Sequence, residues 1–193
     1  MVRTAFRVVL AATAVTAIGL APGVASAATA GPSVLAYSSA GPGGGDPDTT
    51  VTFTVTVGAL SMTAPTAVNL GSGAPGTTIS KALGAVTVTD ARALLSANWA
   101  ATASSTDWTT GAGTPNETIP ASDVGYNPGS ITTTGTITAT GTPITLSGTP
   151  APVVTGTAGV GDNTATWNPI ISVAVPAAAV GGIYTGTLTQ SVS

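Results

Sequence analysis

The sequence predicts an all-β protein, specifically an antiparallel immunoglobulin-like β-sandwich. Short stretches in which Val, Ile or Ala alternate with Thr recur along the chain, and turns rich in Gly and Pro separate them. No stretch after Leu20 has a sustained helical period. Trp99 is the largest side chain available to fill a core that otherwise contains mainly Val, Ala, Thr and Gly. These features favour a sandwich built around Trp99.

The first residues have the pattern of a secretory signal peptide. Arg3 and Arg7 precede an apolar stretch at residues 8–20, and Ala25 and Ala27 provide small residues for cleavage. We therefore predict a signal peptide at 1–27, a Gly/Pro-rich flexible lead-in at 28–50 and a β-sandwich domain at 51–193. The mature chain is expected to begin at Ala28 and to be secreted. It has no later run of about 20 apolar residues, so no membrane span is expected in it.

The clearest predicted strand is residues 51–57, VTFTVTV, in which Val and Phe alternate with Thr. Two further strands are predicted at 86–89 and 99–103, because Val86 and Val88 and then Trp99 repeat every second residue. Residues 90–95 interrupt this period and are predicted to connect the two strands, with one helical turn at most.

Residues 60–70 are predicted to form a weaker strand or a pair of strands, and residues 77–83 lead into the strand at 86–89. Further strands are predicted at 131–140, 143–146, 153–157, 164–167, 171–175 and 183–193. Residues 111–129 contain three prolines and are predicted to be irregular. Alternation along the strands predicts a mostly buried core formed by Phe53, Val55, Val57, Val86, Val88, Trp99, Ile137, Ile171, Val173, Val175, Tyr184 and Leu188.

Tyr184 follows the turn at 176–182 and is therefore a candidate for a tyrosine corner. In that motif the hydroxyl donates a hydrogen bond to the upstream turn and fixes a crossing between sheets. The alternative is that Tyr184 only fills part of a sheet face.

The composition excludes several function classes. The chain has no Cys and no His, so thiol chemistry, thiolate metal sites and histidine acid–base catalysis are excluded. It has four basic and seven acidic residues, and the formal net charge of −3 offers no basic surface for nucleic acid. We predict no catalytic residues, no metal and no cofactor.

Aromatic residues are the remaining candidates for ligand binding. Trp108, Tyr126 and Trp167 would form a sugar-stacking platform if their rings were exposed. Trp99 and Tyr184 are instead predicted to be structural. An exposed strand edge would offer a second kind of site, for self-association or for another surface protein.

Two stretches resemble the WxL family of secreted cell-surface domains. One is residues 86–90 with Asn98-Trp99-Ala100-Ala101-Thr102, and the other is residues 170–192. Ala101 stands where the family has Leu, and Gln190-Ser191-Val192 stands where it has the second Trp-x-Leu, so both motifs are degenerate. The chain is also similar to β-rich exported proteins of high-GC Gram-positive bacteria. The resemblance implies a role at the cell wall, with cell-wall polysaccharide or peptidoglycan as partner.

Together these observations predict an exported, non-catalytic β-sandwich that acts at the cell envelope, either free or associated with the cell wall. A carbohydrate-binding module and a structural, self-associating surface protein are the alternatives.

Overall fold

The computed structural model describes residues 49–193. The predicted signal peptide and the lead-in up to residue 48 lie outside these residues. Residues 53–193 form one compact unit. Twelve strands are present in the described residues: β1 Leu60–Thr63, β2 Thr78–Ala82, β3 Val86–Ser105, β4 Trp108–Thr109, β5 Thr118–Ile119, β6 Val124–Asn127, β7 Ile131–Thr134, β8 Thr138–Gly141, β9 Ile144–Thr145, β10 Ala151–Trp167, β11 Ile170–Ala174 and β12 Leu188–Val192. Two 3₁₀ turns, Pro115–Glu117 and Ala121–Asp123, flank β5.

The strands form two main sheets with antiparallel pairing throughout. In the first sheet β3 and β10 are central; β1 and β12 pair with successive parts of β3, and β7 and β8 pair with β10. The second sheet has the order β2-β11-β6-β9, and β4 and β5 form a small separate ladder. The prediction of an antiparallel all-β sandwich is confirmed, whereas the immunoglobulin-like arrangement stays a prediction.

The two long strands β3 and β10 correct the predicted break near residue 90. They pair from Val86 opposite Trp167 to Ala103 opposite Ala151, as one continuous ladder. Three shifts of register lie between Gly156 and Asn163, opposite the stretch where the sequence loses its alternation. Irregularities of this kind bend a strand without ending it, so the interruption in the sequence marks a bend. The predicted strands at 153–157 and 164–167 are likewise parts of β10.

The bend contains the one ion pair found among the described residues. The buried carboxylate of Asp90 accepts hydrogen bonds from Nε and Nη2 of Arg92 at 2.8 Å, and from the Arg92 backbone N–H at 3.1 Å. The Arg92 side chain also donates to the Asn98 carbonyl across the bend. The Arg92 hydrogen bonds hold the pKa of Asp90 below its usual value, although burial opposes them.

The core lies between the two main sheets. Val86, Val88 and Trp99 contribute from β3, and Trp167 from β10. The facing sheet contributes a second set of buried residues: Val124, Tyr126, Ile171 and Val173. A Cβ at Gly156 would overlap the Trp99 indole, so Gly at this position leaves room for the ring against β10. The prediction that Trp99 is buried is confirmed, with 4% of the residue exposed.

The predicted strand at 51–57 is not found. Residues 49–59 belong to no strand, and Val51, Phe53, Val55 and Val57 are 75%, 82%, 65% and 70% exposed. The prediction that Phe53, Val55 and Val57 are core residues is therefore wrong. Their alternation gives them one apolar face, but no sheet of the described chain covers it. The other predicted core residues are buried or, for Val175, Tyr184 and Leu188, partly buried against the core.

The predicted irregular stretch at 111–129 is also more regular than expected. It contains β5, β6 and both 3₁₀ turns. The predicted strand at 131–140 is two strands, because the chain turns at Gly135 with φ of 79°. Buried Asn163 holds this turn: its Oδ1 accepts from the N–H groups of Thr136 and Ile137, at 2.9 and 3.2 Å.

Candidate binding groove

A groove of about 780 Å³ opens on the side of the sandwich where β12 of the first sheet faces β2 and β11 of the second. Its floor is made of core residues, including Leu146, Ile171 and Val173. One wall is residues 65–73 and the other is residues 179–187. We call this feature the groove. These floor residues are each only 2% exposed, so the exposed apolar surface of the groove comes mainly from its walls, as at Val68, Val180 and Ile183.

The groove has no charged side chain in its lining, because no Asp, Glu, Lys or Arg contributes to it. Its polar groups are backbone amides, a few Ser and Thr hydroxyls, Asn69, Gln190 and Tyr184. A ligand that is recognised through a formal charge would find no partner of opposite charge here. The lining suits a neutral, largely apolar occupant with backbone-type hydrogen-bonding groups.

The wall at 179–187 is held by Tyr184. The Tyr184 hydroxyl lies 2.9 Å from the Val180 carbonyl and 3.1 Å from the Asn116 carbonyl, and it donates its one hydrogen to this pair. The Val180 N–H donates to the same Asn116 carbonyl at 3.0 Å. The bond to Val180, four residues upstream, is the contact that the tyrosine-corner hypothesis predicts. Tyr184 therefore fixes this wall to the turn before β5.

Trp108 lines the groove from β4 and is half-buried. Its indole N–H donates to the Ser105 hydroxyl at 2.9 Å. A Cβ at Gly186 would overlap the indole, so the backbone at Gly186 covers part of the ring. Trp108 thus supports the wall at 179–187 and presents only part of its ring to the groove.

The opposite wall, residues 65–73, is attached to the outer edge of β2. The Lys81 ammonium donates to the Asn69 carbonyl at 2.9 Å. The Asn69 side chain also accepts from the Gly71 N–H at 2.8 Å and closes a tight turn. Because β2 pairs with β11 on its other side, this wall and Lys81 lie beside the outer edge of β2.

A chain of three polar side chains crosses from the core to the floor of the groove. The indole N–H of Trp167 donates to the Tyr126 hydroxyl at 2.9 Å, and that hydroxyl donates to Oε1 of Gln190 at 2.9 Å. It connects β10, β6 and β12 and so joins the two sheets. Burial raises the pKa of Tyr126 to about 12, and the hydrogen bond from Trp167 opposes this only partly.

The three aromatic residues predicted as a sugar-binding platform do not share an exposed surface. Tyr126 and Trp167 are 1% and 2% exposed and belong to the core. The condition for the platform, that all three rings are exposed, fails for these two because their polar atoms satisfy each other inside the sandwich. Only Trp108 borders the groove. Alternation alone did not identify the rest of the lining, since it comes from four connecting segments as well as from β2, β5, β11 and β12.

The acidic residues near the groove have structural partners. Asp107 accepts from the Ala121 N–H at 2.9 Å, and Glu117 accepts from the N–H and hydroxyl of Thr114. Those bonds from Thr114 keep the pKa of Glu117 below its usual value. Within residues 49–193, no group of three or more acidic side chains is close enough to hold a metal ion.

Comparison with family models, curated proteins and solved structures gives no match to this chain. In the part of the chain that the structure describes, no helix has the length and apolar character of a membrane span. The fold and the groove define an antiparallel all-β sandwich with an uncharged apolar groove between its sheets.

Proposed function

We propose that this chain is an exported structural protein of the cell envelope, which acts through non-covalent contacts made in the groove and not by catalysis. The observation that carries the proposal is the groove itself. Its lining contains many apolar side chains and no charged residue. A surface of this kind binds by excluding water from apolar groups.

Two further observations support the proposal. The N-terminal sequence has the order of charged, apolar and small residues that export requires. Five charged side chains each form a hydrogen bond or an ion pair with a neighbouring group in the fold: Asp90, Arg92, Asp107, Glu117 and Lys81. The resemblance to WxL domains points to the same compartment, the outer face of the cell.

A structural role is favoured over a carbohydrate-binding role by the aromatic residues. Sugar recognition uses flat exposed rings, and only Trp108 among the three candidates reaches the groove. Part of its ring is covered by Gly186. The degenerate second motif favours the same choice, because the Gln190 amide already accepts a hydrogen bond from Tyr126.

The proposal is tested by fractionating the producing cells into medium, wall, membrane and cytoplasm. We expect the chain outside the membrane, with Ala28 at its N-terminus. We also expect a cell-associated share that resists a wash with about 1 M salt, because exposed charge pairs are screened at that concentration and apolar contacts are not. Recovery of the chain in the cytoplasm with Met1 intact would contradict the export part of the proposal.

A matched pair of variants tests the groove. Ile183 is 87% exposed and lines the groove, whereas Leu95 is 86% exposed and lies outside its lining. Each is replaced by Arg, which adds the same charge to an equally exposed apolar position. We expect Ile183→Arg to lose the cell-associated share to the medium and Leu95→Arg to keep it. Equal retention of the two variants would exclude the groove as the contact surface.

A further inference from the structure

One apolar strand-like segment of the chain has no partner within the described residues. Residues 51–57 belong to no strand and expose all four of their large apolar side chains by 65–82%. Such a segment combines high β-propensity with an absence of charge and of Pro. Proteins normally cover or interrupt sequences of this type, because they pair readily with open sheet edges.

The same fold has one accessible edge beside the groove. Ser193 exchanges both backbone hydrogen bonds with Ala100, next to the ladder between β12 and β3. Because hydrogen-bonded pairs alternate along an antiparallel ladder, the N–H and C=O groups of Leu188, Gln190 and Val192 point away from β3. No strand of residues 49–193 pairs with this edge of β12.

The side chains of β12 alternate in the same sense. Leu188, Gln190 and Val192 are partly buried on the inner face, whereas Thr189 and Ser191 are exposed on the outer face. A strand added to this edge would therefore place every second side chain over the groove. The edge of β2 across the groove is less suitable, because Lys81 and the wall at 65–73 lie beside it.

We propose that residues 51–57 of one copy add as a strand to the free edge of β12 in a second copy. Their Val and Phe side chains then enter the groove, and their Thr side chains face solvent. The segment and the groove match in chemistry, since neither contains a charged residue. As an added strand, seven residues would span roughly 23 Å, more than the length of the five-residue β12.

This proposal rests on the proposed function and names the partner of the groove. Each copy carries one segment and one groove, so two reciprocal contacts close a dimer, whereas a contact made to a different copy each time leaves one segment and one groove free. Repetition of the second arrangement produces linear assemblies. Strand addition of this kind derives its affinity from backbone hydrogen bonds and its specificity from alternate side chains in pockets.

Cysteine pairing between two chains tests the contact directly, because the natural chain has no Cys. A tagged Val55→Cys chain is mixed under mild oxidation with untagged Leu188→Cys, Gln190→Cys or Val192→Cys chains. A disulfide needs Cα atoms about 4.4–6.8 Å apart, so it reports a specific neighbour. We expect at least one of these mixtures to give a mixed disulfide dimer at a yield about tenfold above that with Thr54→Cys, whose side chain would face solvent.

The measurement uses purified chains and so does not depend on export or on the wall. Absence of every mixed disulfide would overturn the proposal while leaving an envelope role intact. A chain that carries both Val55→Cys and Gln190→Cys supplies the second readout. If it forms its disulfide within one monomer, the segment covers its own groove and the proposal fails; disulfide-linked dimers or a ladder of longer oligomers support it.

Discussion

The Tyr126 hydroxyl donates a hydrogen bond of 2.9 Å to Oε1 of Gln190, and this contact joins β6 of one sheet to β12 of the other. The same hydroxyl accepts from the buried Trp167 indole. The floor of the groove is thus fixed by a polar contact that begins in the core. Removal of the Tyr126 hydroxyl leaves the buried Trp167 indole and the partly buried Gln190 amide without this partner.

Tyr126→Phe is expected to destabilise the protein by about 1–3 kcal/mol, the range for leaving buried hydrogen-bonding groups unsatisfied. Urea unfolding followed by Trp fluorescence measures the change. Tyr184→Phe is the matched control, because it removes a hydroxyl that is partly exposed; we expect a loss of about 0.5–1.5 kcal/mol. A Tyr126→Phe midpoint equal to that of the natural chain would contradict the role of this contact.

The raised pKa of Tyr126 predicts alkaline sensitivity. Its pKa is about 12 in the folded chain, against 10.0 for an unperturbed tyrosine, so the unfolded chain loses this proton first. The contribution is fully present below pH 10 and is lost as the pH rises towards 12. The free energy of unfolding lost by about pH 12 through this titration amounts to about 2–3 kcal/mol. Unfolding free energies measured between pH 9 and 12 should fall more steeply for the natural chain than for Tyr126→Phe.

The contact between Trp99 and Gly156 predicts two separate losses of stability. Trp99→Ala removes a large buried aromatic side chain and should cost about 3–5 kcal/mol. Gly156→Ala inserts a methyl group against the indole and should cost about 1–3 kcal/mol by overpacking. Chemical denaturation of both variants checks this, with Leu95→Ala as an exposed control. A Trp99→Ala variant with an unchanged midpoint would show that the ring does not support the core.

The ion pair at the bend of β3 predicts a loss of stability in acid. Since the pKa of Asp90 is lowered in the folded chain, its contribution is present above the unfolded-state value near 3.8 and is lost as the pH falls through the folded-state pKa. Asp90→Asn should remove about 1–3 kcal/mol at pH 7. It should also flatten the pH dependence of the unfolding free energy below pH 4.

Local sequence patterns predicted those parts of the fold in which burial alone determines which side chains face the core. The alternation of Val86, Val88 and Trp99 identified the inner face of β3. The turn before Tyr184 suggested a tyrosine corner as one of two alternatives, and the hydroxyl contact with Val180 corresponds to that alternative. The segment at 51–57 has the same alternation, but pairing requires an edge elsewhere in the chain, which a local pattern cannot specify. The exposure of this segment is therefore the main difference between the prediction from sequence and the structure.

The groove and its polar floor were beyond the reach of sequence patterns for a related reason. Tyr126 and Trp167 are 41 residues apart, and Tyr126 and Gln190 are 64 apart. Their contact depends on how the two sheets face each other. The scarcity of aromatic residues favoured a core role for Trp99 and, less strongly, for Trp167, but only the packing shows which rings are buried. The continuous β3 was missed because bulges opposite residues 90–99 absorb the change of period.

Sedimentation velocity of the purified chain tests the central claim most directly, namely that the exposed segment and the groove recognise each other. We predict concentration-dependent species larger than a monomer for the natural chain and for Thr54→Asp, whose charge would face solvent. Phe53→Asp places the same charge against the uncharged groove and should sediment as a monomer. Identical sedimentation of all three chains would contradict the account.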